Sequence, residues 1–146
     1  MSREGLEGSL GFTTGLVYRR MSNRLMQRLK PYDITPEQWS VLYYASRSEG
    51  QIQRELGERA GKDKPTTTRI VDHLVRKGWV VRRPDHADRR AIFIEATAEG
   101  RRLIDETAPI EAAVLSEVTA CLTSEENETL LDLLHRVGKH IDQLKG

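Results

Sequence analysis

Cysteine is nearly absent from this chain. With one in 146 residues, Cys121, no internal disulfide framework can form, and a reducing compartment is expected. Aromatic residues are scarce at 5%, and no repeat, low-complexity tract or proline-rich linker divides the sequence. Long apolar runs are missing too. Stretches such as "VLYYA" fall far short of the roughly 20 residues that span a bilayer, and the opening "MSREGLEGSL" has no apolar signal core. A cytoplasmic chain with no membrane partner is therefore expected. No glycine-rich phosphate loop is present, and no nucleophile has an evident base and orienter, so neither catalytic residues nor a cofactor is expected. His135 and His140 lie five positions apart, about 140° around a helix, and cannot share an ion from one face. The best local set is Glu128, Asp132 and His135, and no metal is expected.

What is present is charge, unevenly distributed. The net charge of +1 conceals a basic segment. Residues 62–90 hold nine Lys/Arg and four acids, a balance of +5, and the rest of the chain carries −4. One concentrated basic stretch in an otherwise acidic chain is the electrostatic footprint of a phosphate binder.

Helix signals dominate. Residues 9–29 place Leu10, Val17, Met21, Leu25 and Leu29 near helical spacing. Thr35-Pro36-Glu37-Gln38 is a capping box with proline at the first helical position, and it opens a helix with Trp39, Leu42, Tyr43 and Ala45 facing inward. "QRELGERAG" predicts a short helix stopped by Gly61. In the next stretch Pro65 pushes Lys64 out of the α region, so a helix is expected with Pro65 first. Its apolar face is Thr67, Ile70, Val71 and Leu74, and Lys77-Gly78 closes it. The period then changes: "WVVRR" and "RAIFIEA" predict two strands around a tip at Pro84 to Arg89, with Arg90 beginning the return. Thr97 caps a helix expected to reach Leu122, with Cys121 on its apolar stripe and a kink near residue 105 from Pro109. A second capping box, Thr123 to Glu126, opens the last helix.

Two short helices joined by a tight turn and followed by a hairpin make a winged helix-turn-helix. The expected fold is mainly α with an α+β head: six helices plus a β-hairpin wing. One domain spans 1–146, with the head at about 34–100 and dimerisation helices at about 9–30 and 101–146.

Projected at 100° per residue, the helix from Pro65 to Lys77 turns Pro65, Arg69, Asp72 and Arg76 away from the core, with Thr66, Thr68 and His73 on the flanks. The amino end of such a helix reaches furthest into a major groove, where threonine and arginine read base edges. Candidate DNA-binding residues on it are Lys64, Pro65, Thr66, Thr68, Arg69, His73 and Arg76. Arg76 suits a phosphate, or an ion pair with Asp72 one turn back. On the last helix Leu130, Leu134, Val137, Ile141 and Leu144 alternate four and three apart, the pattern of a helix–helix seam. With Leu10 and Val17 they form the candidate homodimer interface. The junction of head and body holds a candidate effector pocket: Tyr18, Trp39, Tyr43 and Tyr44, with Arg20 or Arg24 for an anionic group.

The sequence resembles the MarR family of bacterial transcriptional regulators. The resemblance rests on "ITPEQWSVLYYAS" and on the stretch from "RELGERAG" to "ATAEG", which carries the Asp-x-Arg wing signature as Asp88-Arg89-Arg90. It is dense over residues 34–105. Thr67 departs from it, standing where the family often has an aliphatic residue. The resemblance implies a homodimer, a recognition helix in the major groove, and a wing (Asp88, Arg89, Arg90) whose Arg90 probes the minor groove while Asp88 pairs with a nearby arginine. It also implies a repressor released by a small phenolic or lipophilic effector, or by thiol oxidation. The expected function is a sequence-specific, double-stranded DNA-binding regulator on a pseudo-palindromic operator. The alternatives are a winged-helix adaptor that binds protein, and a metal- or redox-sensing regulator.

Overall fold

The computed structural model describes residues 4–88 and 90–144. A short 3-10 turn, Gly5–Gly8, leads into α1, Leu10–Leu29, and a second, Lys30–Tyr32, follows it. The turn beyond closes at Asp33, whose φ of 56° is left-handed. Helix α2, Pro36–Ser46, opens on the predicted capping box: Gln38 N–H donates to Thr35 Oγ1 (3.2 Å), and Thr35 N–H donates to Gln38 Oε1 (3.1 Å). Helices α3, Gln53–Arg59, and α4, Lys64–Arg76, form the helix-turn-helix. Strands β2, Val80–Pro84, and β3, Ile92–Ala96, form the hairpin. Helices α5, Ala98–Val118, and α6, Ser124–Gln143, complete the chain, each under a threonine cap, Thr97 and Thr123.

The fold is thus the mainly α winged helix that was expected, with one addition. Gln51–Ile52 forms a third strand, β1, antiparallel to β3, and the sheet order is β1-β3-β2. Gln51 pairs with Ile94, and Val80 with Ala96 across the other edge. Two residues carry no readable alternation, so this strand had no sequence signal.

The core fills the head and takes in the facing sides of α1 and α5. Leu42, Leu56, Ile70, Leu74, Ile94 and Ile104 are fully buried there, each side chain stabilising the fold by about 1.5–3 kcal/mol relative to exposure. Close approach of α3 to α4 depends on a small residue: a Cβ on Gly57 would collide with the Thr67 side chain. Thr67 is the residue at this close approach. It is compact, and its hydroxyl is satisfied by donating to the Asp63 carbonyl (2.7 Å). A Cβ on Gly100 would likewise strike the Trp79 carbonyl, where α5 crosses the hairpin base.

Four local expectations are corrected. Helix α4 starts one residue early, because Asp63 is the cap: its carboxylate accepts the Thr66 N–H at 2.8 Å, which lysine could not do. Pro84 pairs with Ile92 at the end of β2, so Arg90 lies in the tip and not on the return strand. Helix α5 ends at Val118, since the next capping box forces a turn first; Cys121 sits exposed in that turn and not on an apolar stripe. Helix α5 runs on through Pro109, which lies with Asp105 on the exposed side. Tyr43 is half-buried, and Val41 takes the inward place beside Leu42.

Candidate nucleic-acid interface

The exposed face of α4 is built by its own caps. Asp63 starts the helix, and accepting the Thr66 amide holds its carboxyl below the ordinary carboxylate range, so it stays ionised at the positive helix end. Gly78, at φ 76°, ends it. Between these points Lys64, Pro65, Thr68, Arg69, Asp72 and Arg76 line a shallow groove of about 450 Å³. Thr66 and His73 are not part of it, and both are half-buried.

An acid among these cations needs a partner, and Asp72 has one. The expected pairing was with Arg76. Instead Arg82, at the base of the wing, binds Asp72 Oδ1 at 2.7 Å. Arg82 Nε also donates to Gln53 Oε1 (3.3 Å), and Gln53 Nε2 donates to Thr68 Oγ1 (3.3 Å). One network therefore ties α3, α4 and β2 together and neutralises the only acid in the groove. Glu37, in the first turn of α2, stands 3.9 Å from both Lys62 Nζ and Arg69 Nη2. Lys77 bonds to Asp33, which holds the Asp33 carboxyl below its usual range.

The wing tip is folded on itself. Asp85 N–H donates to the Ala91 carbonyl (3.1 Å), and Ala91 N–H donates to the Asp88 carbonyl (3.0 Å). Asp88 Oδ1 accepts the Arg90 N–H at 3.0 Å and lies 3.5 Å from Arg90 Nε. Arg90 thus pairs with Asp88 itself while its side chain stays 94% exposed. Arg83 is committed elsewhere, to Glu95 at 3.0 Å and to the Phe93 ring 4.9 Å below it. Arg89 lies outside the described residues. Between the wing tip and the start of α4 runs a trough of about 900 Å³, lined in part by Arg54, Lys62, Lys64, Asp88 and Arg90.

A separate cavity of about 280 Å³ opens where α1, α2 and α5 meet. Of the six residues expected there, Tyr18 and Trp39 line it and the other four do not. Tyr43 stacks on Trp39 at 5.3 Å under Arg47, Tyr44 lies under Arg59, and Arg24 is held with Arg28 by Glu117. Arg20 is exposed on α1. The charges in the lining are Lys62 and Glu111, which sequence reasoning missed, because Lys62 sits in the turn before α4 and reaches the cavity only through the fold. Trp39 is fixed as a wall: its Nε1–H donates to the buried Thr107 Oγ1 at 2.7 Å. Among the described residues, no three His, Cys, Asp or Glu side chains converge on a point, and no helix is long and apolar enough to cross a membrane.

A helix-turn-helix with a braced outer face, beside a hairpin carrying an exposed arginine, defines a winged helix-turn-helix protein. Residues 32–91 match the family model described as "MarR family". The chain is 30% identical to a MarR from E. coli solved with operator DNA, over 93% of this chain and 99% of that one, at a TM-score of 0.82. It is 26% identical to the PcaV transcriptional regulator of Streptomyces coelicolor, solved with its natural ligand, over 95% and 98% of the two chains, at a TM-score of 0.84. It is also 26% identical to the HTH-type transcriptional regulator MhqR of Bacillus subtilis, over 86% of this chain and 87% of that one. The chain belongs to the MarR family. It is a transcriptional regulator and not an enzyme.

Proposed function

We propose that the protein is a cytoplasmic, homodimeric repressor that binds a pseudo-palindromic operator in double-stranded DNA and leaves it when a small effector binds. The observation that carries this reading is the pairing of an exposed, cation-rich α4 face with a wing tip that presents Arg90. In this reading Thr66, Thr68 and Arg69 meet base edges in the major groove, and Lys64, Pro65, His73 and Arg76 lie along the backbone. Arg90 enters the minor groove with Asp88 as its brace, and Arg89 adds charge beside it. Two heads on a two-fold axis read half-sites about 34–36 Å apart. The dimer is supported by α6, which buries none of its residues within the chain. Leu10, Val17, Leu130, Leu134, Val137 and Ile141 supply the apolar contact. Leu144, just past the helix end, adds to its rim.

The effector part rests on the cavity walled by Tyr18 and Trp39. A relative solved with a ligand supports it: CouR of Rhodococcus jostii, 26% identical over 92% of this chain, was solved with p-coumaroyl-CoA.

The test is fluorescence anisotropy on a duplex from upstream of the protein's own gene, across a salt series. Binding weakens steeply with salt, because neutralised phosphates release counterions. Arg69→Ala relaxes base preference by about 1–3 kcal/mol, and Arg90→Ala lowers affinity with little change in preference among major-groove contacts. Wild-type binding by both variants sinks the model.

A further inference from the structure

Thr68 stands exposed in the α4 groove, yet its hydroxyl is engaged on two sides. Thr68 Oγ1 donates its proton to the Lys64 carbonyl at 3.1 Å. It also accepts from Gln53 Nε2 at 3.3 Å. A hydroxyl has one proton and two lone pairs. The proton and one lone pair are therefore taken, and Thr68 has no proton to donate into the groove.

Gln53 holds this arrangement from behind the groove. It is the first residue of α3 and only 8% exposed, whereas glutamine is mostly a surface residue. Its orientation is fixed chemically. Arg82 Nε can only donate, so the amide oxygen faces Arg82 at 3.3 Å and the amide nitrogen faces Thr68. Arg82 is in turn anchored by Asp72 at 2.7 Å. Arg82 Nη2 is buried and has no partner among the described residues. A buried unpaired donor costs stability, so stability alone does not explain why Arg82 is held here.

Base edges differ in what they offer in the major groove. Guanine presents acceptors alone, and thymine presents a methyl group beside an acceptor. A threonine that cannot donate makes no bond to the guanine edge, and what it brings to the groove is its γ-methyl. We infer that Gln53 is a specificity-determining residue that acts through Thr68. By engaging the hydroxyl, it makes Thr68 a reader of the thymine methyl and excludes guanine at that position. This rests on the DNA-binding reading above, and it adds the base that is read and a positioning residue behind the reading face.

The experiment uses the full chain and a duplex that the wild-type protein selects from a randomised pool, with anisotropy as the readout. Each thymine of one half-site is replaced in turn by deoxyuridine, which removes the methyl and nothing else. In wild type one such replacement weakens binding about fourfold, the effect of one buried methyl, and guanine at that position is rejected. Thr68→Ser keeps the hydroxyl and loses the methyl, so it binds the thymine and deoxyuridine duplexes equally. Gln53→Met keeps the side-chain volume and frees the Thr68 hydroxyl. Its thymine-to-deoxyuridine ratio falls toward one, and guanine becomes tolerated. A glutamine that served stability alone would, when replaced, weaken every duplex by one factor and leave both ratios unchanged. The inference is overturned if no deoxyuridine replacement weakens binding, if Thr68→Ser keeps the wild-type ratio at every thymine, or if Gln53→Met does so. It is overturned as well if Thr68→Ser alters preference only where adenine or cytosine is selected, since the remaining lone pair would then be the reader. The deoxyuridine scan and Thr68→Ser leave the buried Gln53 intact, so each decides the matter even if Gln53→Met fails to fold. Failure of the DNA-binding reading shows earlier and separately, as a wild-type protein that enriches no sequence from the pool.

Discussion

The head and the terminal helices solve the burial problem in opposite ways. Within the head, Leu42, Leu74 and Ile94 are fully buried and the apolar faces of α2, α4 and β3 close on one another. Helix α6 is as long as α1 and strongly amphipathic, yet it buries nothing: Leu130, Leu133, Val137 and Ile141 remain 38–57% exposed. Helix α1 buries only Leu29. A contiguous apolar face of this kind marks an interaction surface. The difference teaches that stability in this chain has two origins. The head's is internal, and that of the arms depends, in the homodimer proposed above, on a second copy of the chain.

The sharpest test exchanges the same residue type in the two regions. Leu42→Ala in the head costs about 2–5 kcal/mol by opening a cavity, and calorimetry at any protein concentration shows the same loss. Leu130→Ala on α6 produces a deficit that shrinks as concentration rises, because association stabilises by mass action; sedimentation shows its monomer–dimer equilibrium displaced. If both variants lose equally at every dilution, the division is wrong.

A smaller effect is expected where the two regions meet. Thr107→Val leaves the buried Trp39 indole N–H without a partner, at about 1–3 kcal/mol. Thr107→Ser keeps the hydroxyl and recovers most of that loss. Equal melting temperatures for the valine and serine variants would show that volume matters there and the hydrogen bond does not.

The smallest effect is electrostatic and lies on the arms. Arg28 and Arg24 both bond to Glu117 (2.6 and 2.8 Å) and hold its carboxyl below the usual range of 4.5. The folded value is the lower one, so this stabilisation is full above the unfolded value. It fades as pH falls from about 4.5 through the folded value. Glu117→Gln should flatten that acid limb in a pH series of thermal melts. The corresponding acid loss in the head comes from Asp63, whose carboxyl is lowered by the Thr66 amide, and it should survive the Glu117 substitution. Loss of both limbs together would show that the Asp63 carboxyl contributes nothing of its own to the acid limb.

Much of this was legible without coordinates, for identifiable reasons. Capping boxes at Thr35 and Thr123 are local in sequence, so their spacing alone predicts them, and both formed. The buried face of α4 repeats at helical spacing, and Thr67, Ile70, Val71 and Leu74 are all buried. Partner choice was less legible. Asp72 has Arg76 one turn away, but Arg82 reaches it from a strand and wins with a 2.7 Å contact. The pocket expectation went wrong in the same way. Aromatic residues clustered in sequence were grouped together, whereas α2 turns Tyr43 and Tyr44 away from the cavity that Trp39 lines.

The sequence by itself determined the order of helices, the position of the wing, the concentration of positive charge over residues 62–90, and the apolar stripe of α6. These depend on periodicity, caps and composition, which act over a few residues. Only the tertiary structure decided that two residues at 51–52 add a strand to the wing. It alone neutralised Asp72 with Arg82 and exposed Cys121 in a turn. It also set Lys62 between the cavity and the trough beside the wing, with Glu37 beside it. Contacts of that kind join residues distant in the chain, and their geometry exists only once the helices have packed.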